Sequence, residues 1–408
     1  MIAITAILVV SATIQGICDV LATSGVGQRG VVYMWAVDAA IALVGIGALA
    51  RGVDRVDRRR LGVALLWVFA GCYGLVSWLT RNSEQAAFWW GSLGVIDTLQ
   101  SNLVVLLAWA IARDLFTEGE AVRLFGLLGG LAYIGTLGGT GLAALVAGHA
   151  SNAWLLPICA LLAMAASACV GWLVPPHVQM KRPEAIDTEA PSLAALFDTA
   201  TLRYLWRHPT LRWLSAIEIG NALCWTMMSL AVLLALQNRD ASTAGLQRTY
   251  AELRFVGPLA HALMQAAFSG WLLRKLGYGR LFLATPLVLL GNLIGLGLAP
   301  GLAMAWAASL LIQLVFGAEG AAAHALLVRV PAHRRGRVGT FVMGTLPQVG
   351  YLLGCALLLA SQWLADLAHL GPSGARQACV GVAALAAGLN VHAGVRLRRA
   401  FAGNDDAA

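Results

Sequence analysis

Twelve apolar runs constrain this chain more than any other feature of it. They lie at about 3–24, 31–51, 61–80, 87–111, 123–147, 152–174, 211–236, 249–273, 279–299, 302–326, 338–361 and 373–395. Each is close to the roughly 20 residues that a helix needs to cross the hydrocarbon of a bilayer. Only 12% of the 408 residues are charged, against about 25% in a soluble domain. A chain of this composition cannot cover a globule with polar surface, so the sequence predicts an all-α integral membrane protein of twelve spans. The first run, MIAITAILVVSATIQGICDV, has no basic n-region and no small-residue cleavage site, and reads as the first span rather than a removable leader. The seven cysteines lie within apolar runs and form no CxxC pair, so no disulfide framework, metal site or cofactor is expected.

Arginine and lysine set the orientation. With the N-terminus inside, 22 of the 28 basic residues fall in cytoplasmic segments and five in outer ones. The positive-inside rule therefore predicts cytoplasmic N- and C-termini. The net charge of +8 then belongs to loop topology and to anionic lipid, and nucleic acid is not an expected partner. One connection is long, about 175–210, with five prolines and charges of mixed sign. It divides the chain into an N-terminal bundle (1–174), a linker (175–210) and a C-terminal bundle (211–408). Ser192–Arg207 fits either an amphipathic helix on the inner leaflet or a flexible linker.

The halves echo each other. ARGVDRVDRRRL after the second run is answered by LLRKLGYGRL after the eighth. Arg113 and Arg123 after the fourth are answered by Arg329 and Arg337 after the tenth, and Gly135-x-x-x-Gly139 by Gly350-x-x-x-Gly354. Two six-span halves with matched loops resemble the parallel repeat of the major facilitator fold, in which halves rock about a midplane site. Asp54, with Arg58 and its neighbours, resembles the signature loop after the second span of those carriers. Two roles fit it, positive-inside anchoring and a cytoplasmic latch. Thr117 and Glu120 make a T-x-x-E capping box, and Arg113, Asp114, Glu118 and Arg123 are expected to pair across that turn.

At these same residues the chain resembles a particular family. WAIARDLFTEGEAVRLFGLLGGLAYIGTLGG, VDRVDRRRL and VRVPAHRRGRVGTFVMGTLPQVG resemble the ATP/ADP carriers of plastids and energy-parasitic bacteria, and more closely their short bacterial relatives. Asp19 stands where that family has an acid near the end of the first helix. The resemblance implies a carrier in a bacterial inner membrane. Members that exchange nucleotides are longer and place lysines within spans, whereas Lys181 and Lys275, both in loops, are the only lysines here. Cys18 replaces the basic residue expected before Asp19.

Ionisable groups inside spans are costly and mark functional sites. Six acids (Asp19, Asp38, Asp97, Glu218, Glu252, Glu319) face one arginine, Arg254, with His261 and His324 in addition. Asp97 shares a helix face with Gln100, and Glu218 with Asn221 and Trp225. Arg254, His261 and Gln265 form one stripe, which Pro258 is expected to kink. His324, five residues from Glu319, does not share its face. An interior of this sign calls for protonated carboxyls, an Arg254 pair, or a positive solute or ion.

The candidate binding or coupling residues are therefore Asp38, Asp97, Gln100, Glu218, Asn221, Trp225, Arg254, His261, Gln265 and Glu319. Candidate latch residues are Asp54, Arg58, Arg113, Asp114, Glu120, Arg123, Arg329 and Arg337. No Walker-type, HExxH or GxSxG motif occurs, and an enzyme is not expected. The expected function is secondary transport of a small polar solute by a monomer, coupled to protons. Nucleotide exchange and a non-transporting scaffold are the alternatives.

Overall fold

The structure, a computed structural model, describes residues 1–22, 28–53, 56–82, 86–147, 154–174, 199–237, 243–369 and 372–405. Among them the regular structure is entirely helical: α1 (Ile2–Ala22), α2 (Gln28–Gly52), α3 (Arg58–Asn82), α4 (Ala86–Leu115), α5 (Glu118–Ala147), α6 (Leu155–Leu173), α7 (Thr199–Arg207), α8 (Pro209–Gln237), α9 (Thr243–Leu263), α10 (Ser269–Leu298), α11 (Leu302–Leu327), α12 (Ala332–Thr340), α13 (Leu346–Leu367) and α14 (Pro372–Asp405). Nine stretches among the described residues are long and apolar enough to cross a membrane, and Ile2–Gln15 and Trp35–Ala50 are shorter apolar pieces. One of the nine, Phe255–Leu298, holds two expected spans. They part at Gly277, whose φ of 72° and ψ of 167° only glycine adopts without strain. The twelve-helix integral membrane fold follows.

Two joins differ from expectation. The helix of the eighth run includes Pro258, and six residues later its ladder widens into a π-turn at Met264–Phe268. The eleventh run begins as the polar helix α12 and passes through a second π-turn, Phe341–Thr345, into α13. Of the long connection, α7 is described. It buries Thr201 and Leu205 and exposes Leu202 and Trp206 on the adjoining face.

The chain forms two compact units. Unit 1 comprises Met1–Gly27, Ile41–Thr199 and Ala323–Gly344; unit 2 comprises Gln28–Ala40, Ala200–Ala322 and Thr345–Ala408. In unit 1, α1 packs on α4, α5 and α6, and α3 packs on α4 and α6. In unit 2, α8 packs on α10, α13 and α14, and α10 packs on α14. The α1–α5 and α8–α13 contacts are built alike. A Cβ at Gly135 or Gly139 would overlap the carbonyls of Val9 and Thr13, and one at Gly350 would overlap the carbonyl of Ile219. At Gly354 it would come within 2.9 Å of Thr226. Each small-residue face lets a helix backbone sit directly on its neighbour, the usual means of tight association in lipid.

Candidate functional site

Charge gathers at the C-terminal end of α4 in unit 1. The last carbonyls of a helix are unsatisfied and carry the negative end of its dipole, so cations belong there. Two arginines arrive. Arg58, buried at the start of α3, donates from Nε to the Val53 carbonyl (3.0 Å) and from NH1 to the Ala110 carbonyl (3.3 Å). It also forms an ion pair with Asp114. Arg335 on α12 donates from Nε to the Val330 carbonyl (3.0 Å) and from NH1 to the Arg113 carbonyl (2.9 Å).

The Arg113 side chain is fully buried, and its NH1 lies 3.2 Å from His324 Nδ1. A guanidinium is only a donor, so Nδ1 is the accepting nitrogen. The His324 ring stacks on Trp109, with centroids 3.9 Å apart and planes 12° from parallel. Gly339 leaves room for the guanidinium, since a Cβ there would stand 2.6 Å from Arg113 NH2.

The expected pairing across the α4–α5 turn is replaced by longer reaches. Asp114 pairs with Arg58, and Glu118 pairs with Arg329 at 2.7 Å, while Arg123 is exposed. The reason is geometric: Asp114 ends one helix, Glu118 begins the next, and each faces the loop that approaches its own side. Glu120 returns to its cap, accepting from the Thr117 N–H at 2.9 Å; the Thr117 hydroxyl also donates to it at 2.9 Å. Arg337 is half-buried on α12. Asp54 lies outside the described residues.

A second centre lies in unit 2, around Glu319 on α11, which is 3% exposed. Asn221 on α8 donates from Nδ2 to Glu319 Oε1 at 3.0 Å, and Asn390 on α14 donates from Nδ2 to Asn221 Oδ1 at 2.7 Å. The Thr285 hydroxyl on α10 faces Glu319, close enough to interact with it yet outside hydrogen-bond geometry. Among the described residues, Glu319 Oε2, Thr285 Oγ1 and Asn390 Oδ1 are buried without a hydrogen-bond partner. Half-buried Glu218, one turn before Asn221, lies within electrostatic reach of Glu319, and Tyr351 on α13 lies within reach of Glu218. Among the described residues, neither carboxylate forms an ion pair with a cation. Trp225 packs on Phe316 at 5.4 Å between ring centroids.

The other candidates are distributed. His261 meets Gln313 on α11 (Nδ1 to Oε1, 2.9 Å), and buried Gln265 lies within the π-turn beside Gly317 and Gly320. In unit 1, Gln100 donates to the Ser11 hydroxyl at 2.8 Å, with Asp97 buried one turn away. Asp38 is half-buried on α2. The side chains of Asp19 and Arg254 lie outside the described residues.

Four participants were not among the sequence candidates, Arg335, Thr285, Tyr351 and Asn390, and His324, counted among the ionisable groups within runs, was not assigned to the α4 cluster. Counting ionisable groups within runs passes over hydroxyls and amides. An asparagine within an apolar run, as at Asn390, is the signal that would have found one of them.

A membrane-embedded bundle of this design, with charged helix ends and buried carboxyls, is that of a carrier. The chain belongs to the Major Facilitator Superfamily, whose family profile matches residues 2–355. Among solved structures it resembles the crystal structure of the human organic anion transporter MFSD10 (TETRAN). The TM-score is 0.73 over 96% of this chain and 98% of that one, at 15% identity, a likeness of fold alone. No curated protein matches in sequence. The family makes the chain an integral membrane protein of the secondary-transporter class, whose members are generally not enzymes.

Proposed function

We propose that this carrier moves a small polar solute across the bacterial inner membrane by alternating access, coupled to protons through its buried carboxyls, with Glu319 foremost. It acts as a monomer with cytoplasmic termini, built from halves 1–174 and 211–408. One observation carries the reading: among the described residues, Glu319 is buried beside a second carboxyl, its hydrogen bond is to a neutral amide, and no cation pairs with it. A carboxylate so placed needs a positive counter-charge, and a proton that comes and goes supplies one. The pairs at the end of α4 act as the cytoplasmic latch, with Arg58, Asp114 and Arg113 at its centre.

The second reading, nucleotide exchange, is favoured by the resemblance of the helix-end motifs to ATP/ADP carriers. It calls for cationic groups deep in the spans to meet the phosphates, whereas the chain has two lysines, Lys181 in the proline-rich connecting sequence and Lys275 beside the Gly277 break in α10.

The test starts with thermal stabilisation of the purified protein by a panel of amines, organic acids, polyols and nucleotides, at mildly acidic and mildly alkaline pH. A stabilising solute is then added to proteoliposomes that enclose a pH-sensitive dye. Solute-driven proton movement that Glu319→Gln abolishes is the expected result. Stabilisation by nucleotides alone would give the reading to the exchanger.

A further inference from the structure

Glu319 is the head of a series. Asn221 donates to it, and Asn390 donates to Asn221 (3.0 and 2.7 Å). The order of donors is dictated from the carboxylate outward. An ionised carboxylate only accepts, so Asn221 must present its NH2 to Glu319. The Asn221 carbonyl then faces Asn390, which must present its own NH2, leaving Asn390 Oδ1 without a donor.

A protonated Glu319 permits the opposite order. Its O–H donates to Asn221 Oδ1 once the Asn221 and Asn390 amides have both turned over. The Asn221 NH2 then donates to Asn390 Oδ1, the acceptor that is otherwise orphaned. Both orders are self-consistent, and one proton selects between them. Glu319, Asn221 and Asn390 are 3%, 5% and 3% exposed, so bulk water does not blur the choice, and buried hydrogen bonds in series reinforce one another.

We propose that Asn221 and Asn390 form an amide relay that reads the protonation of Glu319 and carries it from α11 through α8 to α14. The proposal rests on the reading that Glu319 holds the coupling proton. The groups around that carboxyl are Asn221 and Glu218 on α8 and Thr285 on α10; Tyr351 on α13 faces Glu218, and Asn390 on α14 is joined through Asn221. Gly220 holds the relay in register, because a Cβ at that position would overlap the Asn390 carboxamide. α14 packs on α8, α10 and α13 of the same unit, so a reversal at Asn390 arrives where those helices meet.

Infrared difference spectroscopy of the full-length protein in lipid, titrated with pH, reads the carboxylic C=O band directly. The expected result has three parts. Glu319→Gln removes a titrating band. Asn390→Leu, although bonded to Glu319 only through Asn221, moves the band's midpoint to alkaline pH by about one unit, because the ionised form loses its ordered donors. Gly220→Ala, a milder change, moves it the same way. Asn292→Leu is the control; Asn292 donates to the Ala308 carbonyl in the same unit, and its loss leaves the midpoint in place. A band lost in Glu319→Gln with an unmoved midpoint in both Asn390→Leu and Gly220→Ala overturns the relay and leaves the role of Glu319 standing. An equal shift in Asn292→Leu overturns the relay as well. A band that survives in Glu319→Gln overturns both.

Discussion

Arg58 and Arg335 hold the end of α4 in the same way. Each turns its Nε back to the carbonyl of a valine five residues earlier, and each extends NH1 to a carbonyl in the last two turns of α4. The two arginines are 277 positions apart in sequence yet converge on one helix terminus within unit 1. The fork of a guanidinium makes this possible, since Nε and NH1 serve two carbonyls at once, and an ammonium has no such fixed geometry.

Arg335→Lys should therefore behave much like Arg335→Ala. Hydrogen bonds from charged donors contribute about 1.5–3 kcal/mol, so both variants should lower stability by about 2 kcal/mol. Arg58→Ala should cost more, about 3 kcal/mol or above, because it also strands Asp114 without its partner. Thermal melts of the four purified proteins give the ranking. An Arg335→Lys melt equal to wild type would show that charge suffices and the fork does not matter.

Adjacent glycines on α5 should respond in opposite ways to the same methyl group. Gly139 lies against the Thr13 backbone, whereas Gly138 has nothing within 4 Å of a new Cβ. Gly139→Ala forces α1 and α5 apart and should cost about 1–3 kcal/mol, as overpacking does. Gly138→Ala should be neutral, or stabilising by up to about 1 kcal/mol, through lower chain entropy. Gly350→Ala should match Gly139→Ala if the two helix pairs are equivalent. Monodispersity and melting temperature in detergent are the readouts.

The twelve spans were legible because bilayer thickness fixes the length of an apolar run, and the Gly135/Gly139 and Gly350/Gly354 faces because close backbone approach demands spaced small residues. Glu319 was legible through its cost in hydrocarbon. Partners were not. Nothing local to Asp114 points to Arg58, 56 residues earlier, when Arg113 and Arg123 are nearer in sequence. Asn390 and Thr285 carry no charge and were hidden among apolar neighbours. The π-turns were equally hidden, since one extra residue per turn leaves no mark in composition.

His324 has two jobs that substitution can separate. It stacks on Trp109 and accepts from Arg113. His324→Phe keeps a ring for the stack and removes the acceptor from a buried guanidinium, which should cost about 1–3 kcal/mol. His324→Gln restores an acceptor without the ring and should fall between. Gly339→Ala should also loosen the cluster, by pushing on the guanidinium from the α12 side. Trypsin reports the damage, because the 329–337 segment carries Arg329, Arg334, Arg335 and Arg337. Faster cleavage there in His324→Phe than in His324→Gln is the expected order, and equal rates would show that the acceptor is immaterial.

Two of the ion pairs of unit 1 differ in burial, and salt should separate them. Arg329 and Glu118 are 52% and 40% exposed, whereas Arg58 and Asp114 are 2% and 13% exposed. Exposed pairs contribute about 0–1 kcal/mol and are screened by salt, with a Debye length of about 8 Å at physiological ionic strength. Glu118→Gln should therefore change little, and less still at high salt. Asp114→Asn leaves Arg58 buried against a neutral partner and should cost about 3 kcal/mol at any salt concentration. Replacing both members by apolar residues of similar size, Arg58→Met with Asp114→Leu, should recover much of that stability, since buried charges cost desolvation that apolar packing does not. A pair kept only for stability would then be dispensable, and transport should survive the double substitution. A latch must break and re-form in every cycle, so an apolar substitute that restores the melting temperature should still abolish transport. Measuring both quantities on the same double variant distinguishes the two roles.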